Sequence, residues 1–242
     1  MSDPTNTPTV VLVHGGFADS SYWVPVIEDL QAHDIPVVAP PNPLRGLAQD
    51  AEYTAAFVNQ IDGPVLLVGH SYGGAVITVT GSSTPNAVGL VYIAAFGLDE
   101  GEAFSEVYAK YGETPILNAA KPGNYPLPDG ETGVELTIAP ELYKEAFGSD
   151  LSDEEVRVLA VRQRPFAAIF EDKPATAAWK SLPSWYLVAS QDNAIPPEGQ
   201  RQMAERMGAQ TVEVDASHSV ALSQPGATAE IIRSAVEVTS AV

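Results

Sequence analysis

Residues 64–74 read PVLLVGHSYGG. Pro64–Val68 is a short apolar run, the pattern of a strand buried on both faces. It leads straight into Gly69-His70-Ser71-Tyr72-Gly73-Gly74, and Ala75–Thr80 reads as the start of a helix. A bare G-x-S-x-G pattern is common by chance. Between a buried strand and a helix it describes a nucleophile elbow. The glycines let the chain turn sharply without a Cβ clash, so Ser71 is forced outward at the helix N-terminus with its hydroxyl exposed.

The same texture continues outward from this stretch. Thr9–Val13 (TVVLV) is a β-branched run ending at His14-Gly15-Gly16, and Ile35–Ala39 (IPVVA) is a further buried strand closed by Pro40-Pro41. Val88–Ala94, Trp185–Ala189 and Thr211–Val214 read as strands too. Between them lie stretches with helical spacing. Tyr22–His33 carries Trp23, Val26, Ile27 and Leu30, and Asp50–Ile61 carries Tyr53, Phe57, Val58 and Ile61. Glu198–Met207 and Thr228–Val236 complete the alternation. About six strands in strand–helix order predict an α/β domain with a mostly parallel sheet flanked by helices.

The rhythm breaks between Phe96 and Pro183. The expected organisation is therefore a core of residues 1–96 and 183–242 with residues 97–182 inserted as a cap. Helical pieces are expected near Glu102–Tyr111, Pro140–Phe147 and Asp153–Arg164, the last opened by a Ser152/Glu155 capping box. The insert holds Phe104, Tyr108, Tyr111, Tyr125, Tyr143, Phe147, Phe166 and Phe170. Most of these rings are expected to pack the cap onto the core, and a minority to line a pocket.

A serine hydroxyl is a weak nucleophile and needs a base. The chain has 4 histidines. His14 and His70 sit in turns beside glycines, and His33 ends a helix facing solvent. His218 lies in a loop just past the last strand, where a base could reach Ser71. The base needs an acidic partner. Asp192 follows the strand Trp185–Ala189 and is the preferred acid, giving the order Ser71, Asp192, His218 in loops that share one sheet edge. Asp99, after the Val88–Ala94 strand, and Asp215, close to His218, are its rivals. An oxyanion hole needs two aligned backbone N–H groups. Tyr72 supplies one. The loop after Val13 supplies the other, from Gly16 or, alternatively, Phe17.

Val11-Leu12-Val13-His14-Gly15-Gly16, the Gly69–Gly74 motif, Asp192 ahead of Ile195-Pro196, and His218 together resemble the α/β-hydrolase superfamily. The resemblance covers nearly the whole chain, with the cap least constrained. It is nearest to small bacterial serine esterases akin to the methylesterase and hydroxynitrile-lyase group. It implies the α/β-hydrolase fold, a serine-esterase mechanism with no metal or organic cofactor, and a triad of Ser71, Asp192 and His218. Lyases of that group carry threonine after the first-loop histidine and lysine after the catalytic histidine. Here Gly15 and Ser219 stand there, which favours ester hydrolysis over cyanohydrin cleavage. Haloalkane dehalogenases carry aspartate where Ser71 stands.

Composition bounds the partners. Lys plus Arg is 12 and Asp plus Glu is 31, a formal net charge of −19. Such a field repels phosphate backbones, so neither nucleic acid nor an anionic membrane surface is an expected partner. Arg45 is the sole basic side chain between Met1 and Ala109. There are 0 cysteines, which excludes disulfides and thiolate chemistry. Met1–Pro8 has no signal-peptide pattern, and no apolar run approaches the ~20 residues of a membrane span, so the expected compartment is the cytoplasm. Walker A, G-x-G-x-x-G and H-E-x-x-H motifs are missing. The expected partner is a small, medium-sized, uncharged ester or lactone. Perhydrolysis or acyl transfer, a lyase-like reaction, and ligand reception without turnover are the alternatives. Nothing in the pattern specifies an oligomeric state.

Overall fold

The computed structural model describes residues 7–240, so the first six residues of the polar stretch Met1–Pro8 lie outside it. Its framework is a sheet of strands β1 (Thr9–Val13), β2 (Val37–Val38), β3 (Val65–His70), β4 (Ala87–Ile93), β8 (Ser184–Ala189) and β9 (Gln210–Val214). Their spatial order is β2-β1-β3-β4-β8-β9, and every pairing is parallel. The order reverses between β1 and β3, which creates a crevice at their carboxyl ends.

The continuous apolar runs are explained by burial on both sheet faces. Val10 and Leu12 of β1, with Leu66 and Val68 of β3, face helices α1 (Val24–Ala32) and α9 (Pro225–Thr239). Val11, Val13, Val65 and Leu67 point the other way, toward α2 (Leu47–Val58), α3 (Tyr72–Thr80) and α8 (Pro197–Met207). Each alternate residue thus meets a helix layer, as a covered parallel sheet requires.

Some boundaries differ from the sequence expectation. Tyr22–His33 is divided into a 3₁₀ turn at Ser20–Trp23 and the helix α1, with Pro25 in its first turn. Asp19 caps the 3₁₀ turn by accepting from the Ser21 N–H at 2.8 Å. The strand expected at Ile35–Ala39 shrinks to an edge strand of two residues, Val37–Val38.

The chain leaves this sheet after β4 and returns at β8. In between it forms α4 (Phe104–Tyr111), α5 (Pro115–Ala119), strands β5 (Ala120–Pro126) and β6 (Thr132–Ile138), α6 (Tyr143–Phe147), α7 (Asp153–Arg162) and the short strand β7 (Phe166–Ala167). The capping box of Ser152 and Glu155 is present at α7. The antiparallel sheet β5-β6-β7 was not foreseen. Pro122, Gly123, Pro126 and Gly133 punctuate it like a loop, and β5 is largely solvated, so it lacks apolar alternation. It is fastened to the core by Arg45, whose guanidinium donates to Glu135 at 2.8 Å and lies 4.4 Å from the Tyr125 ring centre.

The elbow between β3 and α3 depends on glycine for space. A Cβ on Gly73 would lie 2.3 Å from the Val13 carbonyl oxygen, and one on Gly69 would lie 2.4 Å from the Gly73 carbonyl oxygen. Both obstacles are backbone and cannot rotate away. Gly73→Ala is expected to destabilise the fold by about 3 kcal/mol through overpacking. Urea denaturation checks this, and a midpoint equal to the parent's would refute it.

Candidate active site

β3 ends at His70 and α3 begins at Tyr72, leaving Ser71 alone at the corner. Its backbone is held at φ 54° and ψ −123°, a left-handed conformation that costs a non-glycine residue about 1–3 kcal/mol. That conformation aims the side chain away from both elements. Ser71 Oγ donates to His218 Nε2 at 2.8 Å, and His218 Nδ1 donates to Asp192 Oδ2 at 2.7 Å. The His218 and Asp192 side chains are 0% exposed.

The Asp192 carboxylate is the most heavily satisfied group in the site. Oδ1 accepts the Ala194 and Ile195 backbone N–H groups at 2.6 and 2.9 Å. Oδ2 accepts Gln200 Nε2 at 2.7 Å in addition to His218. The rival acids are engaged elsewhere. Asp99 pairs with Lys180 at 2.6 Å, and Asp215 accepts from Ser190 Oγ at 3.3 Å.

The loop after β1 runs against Ser71. A Cβ on Gly15 would sit 2.6 Å from Ser71 Cβ, so only glycine allows that approach. Gly16, Phe17, Ser71 and Tyr72 line one cavity. Tyr72 is the first residue of α3, so its N–H has no intrahelical acceptor and lies at the positive end of the helix. Phe17 holds a positive φ of 60°, which bends the β1 loop over Ser71.

His14 stabilises that loop as a neutral imidazole. Its Nε2 accepts the Asn42 backbone N–H at 3.0 Å, so the proton sits on Nδ1, which donates to the Gly15 carbonyl at 2.9 Å. Asn42 Nδ2 donates back to the His14 carbonyl at 3.0 Å. Burial lowers the His14 pKa from 6.5 to about 4. Between those values the unfolded chain binds a proton that the folded chain rejects, so stability rises with pH across this window. Acidification from pH 6.5 to 4 is expected to remove roughly 3 kcal/mol through His14. Denaturant midpoints at pH 7 and pH 5 check it. A flat profile, or an unchanged slope in His14→Gln, would refute it.

Several supporting residues were not foreseen. Gln200 is the fourth residue of α8, and its side-chain amide donates to Asp192. Asp150, from the segment between β4 and β8, accepts the Ser217 N–H at 2.9 Å, and Ser219 Oγ donates to the Phe147 carbonyl at 2.8 Å. Both bonds steady the His218 loop. Neither has a signature in sequence, because the partners lie 67 and 72 residues apart.

The cavity in front of Ser71 has a volume of about 620 Å³, its open mouth included. Among the described residues no charged side chain lines it. Phe104, Tyr108, Phe147, Phe166 and Phe170 do, so most of the aromatic residues singled out in residues 97–182 face the cavity rather than only fastening the segment. Tyr72 turns its hydroxyl away, donating to the buried Asp50 carboxylate at 2.7 Å. Burial and the Asp50 charge push the Tyr72 pKa well up, so it stays a protonated structural donor.

A strand–elbow–helix serine bonded to a histidine and a buried aspartate, on a parallel sheet of this order, defines a class, and residues 10–231 match the model of the Alpha/beta hydrolase family. The chain belongs to that family. It is 25% identical over 240 residues to polyneuridine aldehyde esterase of Rauvolfia serpentina, covering 89% of this chain and 90% of that one. It is 24% identical over 226 residues to Methylesterase 1 of Arabidopsis thaliana, covering 85% and 86%. The fold matches the crystal structure of polyneuridine aldehyde esterase with a TM-score of 0.80 at 22% identity, over 93% of this chain and 97% of that chain. It matches a pyrethroid hydrolase from Sphingobium faniae JZ-2 with a TM-score of 0.79 at 21% identity, over 95% and 97%.

Proposed function

We propose that this protein is a carboxylesterase that cleaves a medium-sized, uncharged carboxylic ester or lactone through an acyl-enzyme on Ser71. The observation that carries this reading is the Ser71 hydroxyl bonded at 2.8 Å to His218 in a cavity lined by aromatic and aliphatic groups and no charge. In this mechanism His218 Nε2 takes the Ser71 proton as Oγ attacks the ester carbonyl carbon. Asp192 holds the imidazole with Nε2 free to accept, and stabilises the imidazolium that forms. The N–H of Tyr72 and that of Gly16, with Phe17 as the alternative, receive the oxyanion. His218 then returns the proton to the departing alcohol oxygen. A water molecule deprotonated by His218 attacks the acyl carbon, and the acid leaves with Ser71 regenerated.

Residues 97–182 act as the cap in this reading, since they supply most of the aromatic wall. The same reading keeps the enzyme free of nucleic acid and membrane partners and places it in the cytoplasm. Among the described residues no helix is long and apolar enough to cross a membrane. The test is hydrolysis of p-nitrophenyl esters of graded acyl length. Turnover that peaks at a medium chain and is lost in Ser71→Ala supports the proposal. Turnover unchanged in that variant, or a strong preference for anionic esters, refutes it.

A further inference from the structure

His70 takes no part in the proton transfers above, yet it is fully buried beside them. Its Nε2 lies 2.9 Å from the His218 carbonyl oxygen, an atom that can only accept, so Nε2 carries the proton and donates. The Tyr22 hydroxyl donates to that same oxygen at 3.3 Å and itself accepts the Ala221 N–H at 3.3 Å. The Tyr22 and His70 rings are stacked, 4.2 Å between centres and 22° apart in plane. Phe147 closes the group, its ring near-perpendicular to both histidine rings with centres 6.3 and 4.8 Å away. Among the described residues Nδ1 of His70 has no hydrogen-bond partner, so the geometry satisfies Nε2 alone.

This arrangement closes a short loop. His70 is the residue directly before Ser71, so the backbone that presents the nucleophile also grips the backbone of the base. Asp192 fixes the ring of His218 at Nδ1, and His70 fixes its main chain. Two anchors on opposite ends of one residue leave little freedom in the Oγ–Nε2 distance. The His70 ring centre is also 4.6 Å from that of His218. A second positive charge there would oppose the imidazolium that forms on His218, and burial, with the His218 charge next, holds the His70 pKa well below the ordinary value.

We infer that His70 is a positioning residue. As a neutral Nε2–H donor to the His218 carbonyl it sets the distance between nucleophile and base. The inference rests on the proposed role of the Ser71–His218 pair, but its test does not require an ester substrate. An alkyl fluorophosphonate labels an activated serine whatever the natural substrate. The Ser71 Oγ–P bond forms as P–F breaks, fluoride leaves, and the serine proton passes to His218 Nε2. Labelling rates, with mass-spectrometric location of the adduct on Ser71, are measured beside p-nitrophenyl ester kinetics for wild type, His70→Leu and His70→Gln.

A base displaced by about 1 Å costs on the order of 100-fold in rate. His70→Leu is therefore expected to lower the labelling rate and kcat by about 100-fold, with KM within about twofold. His70→Gln, which restores a terminal N–H donor, is expected to recover to within about fivefold of wild type. Near-ultraviolet circular dichroism and thermal melts establish that the variants are folded. A folded Leu variant that labels within about threefold of wild type overturns the inference. So does a folded Gln variant no better than Leu, or a loss that appears in KM alone. If wild type labels rapidly but cleaves no ester, the esterase reading fails and the labelling rates still decide the role of His70. If wild type does not label at Ser71, the positioning inference falls with it.

Discussion

Ser71→Ala is expected to lower kcat/KM on p-nitrophenyl esters by about 10⁵–10⁶-fold while leaving the fold intact. The size of the effect follows from how the site is built. Among the described residues no other hydroxyl is hydrogen-bonded to His218 Nε2, so with Ser71 removed the base has no side-chain nucleophile to activate. Alanine keeps the Cβ and tolerates the corner no worse than serine, so stability should barely move. Ser71→Gly makes the complementary point. It removes the Cβ from a backbone held at φ 54°, and should raise stability by about 1 kcal/mol while abolishing turnover equally. A parent less stable than its inactive glycine variant would place the strain at the nucleophile. Residual activity above about 1% in either variant, after contaminating esterase is excluded, would remove Ser71 from the mechanism.

Asp192→Asn is expected to cost about 10⁴-fold in kcat. The reason lies in which end of the new amide can face which partner. The Ala194 and Ile195 N–H groups at Oδ1 demand an acceptor, so the asparagine oxygen must turn to them. Its NH₂ group then occupies the place of Oδ2, facing Gln200 Nε2 and His218 Nδ1. Gln200 cannot flip without loss, because its Oε1 accepts the Ala189 N–H at 3.0 Å and its Nε2 also donates to the Ile195 carbonyl at 3.0 Å. His218 must therefore present a bare Nδ1 and carry its proton on Nε2, where it can no longer accept from Ser71. The donor-to-donor contact with Gln200 should also destabilise the fold by about 1–3 kcal/mol. Steady-state kinetics and thermal melts read both effects together. A variant that retains a tenth of the parent's kcat would show that Asp192 does not set the tautomer.

Much of the framework was legible in the residues because its causes are local. Val10–Val13, Val65–Val68 and Trp185–Ala189 are apolar at every position, and a strand covered on both faces requires that. Capping at Ser152 was readable from a spacing of three residues. β5 and β6 were missed for the converse reason. Their pairing of Ala120 with Ile138 through Pro126 with Thr132 depends on a partner strand and not on side-chain alternation. The aromatic residues of positions 97–182 were visible as a set, but their division between pocket wall and packing was not, since it depends on how the segment folds back over Ser71.

By itself the sequence determined the strand–elbow–helix unit, the parallel α/β architecture and a serine, a histidine and three rival carboxylates at strand ends. These follow from steric limits at glycine, from apolar periodicity and from the placing of loops after strands. Tertiary structure alone decided which carboxylate meets His218, since Asp99, Asp192 and Asp215 all follow strands and only Asp192 touches it. It alone placed Gln200, Asp150 and His70 around the hydrogen-bonded Ser71, His218 and Asp192 and left the cavity without a charged side chain among the described residues. The physical reason is range. A bond between Ser71 and His218 spans 147 residues and one between His70 and His218 spans 148, so both exist only once the sheet has brought its strand ends together.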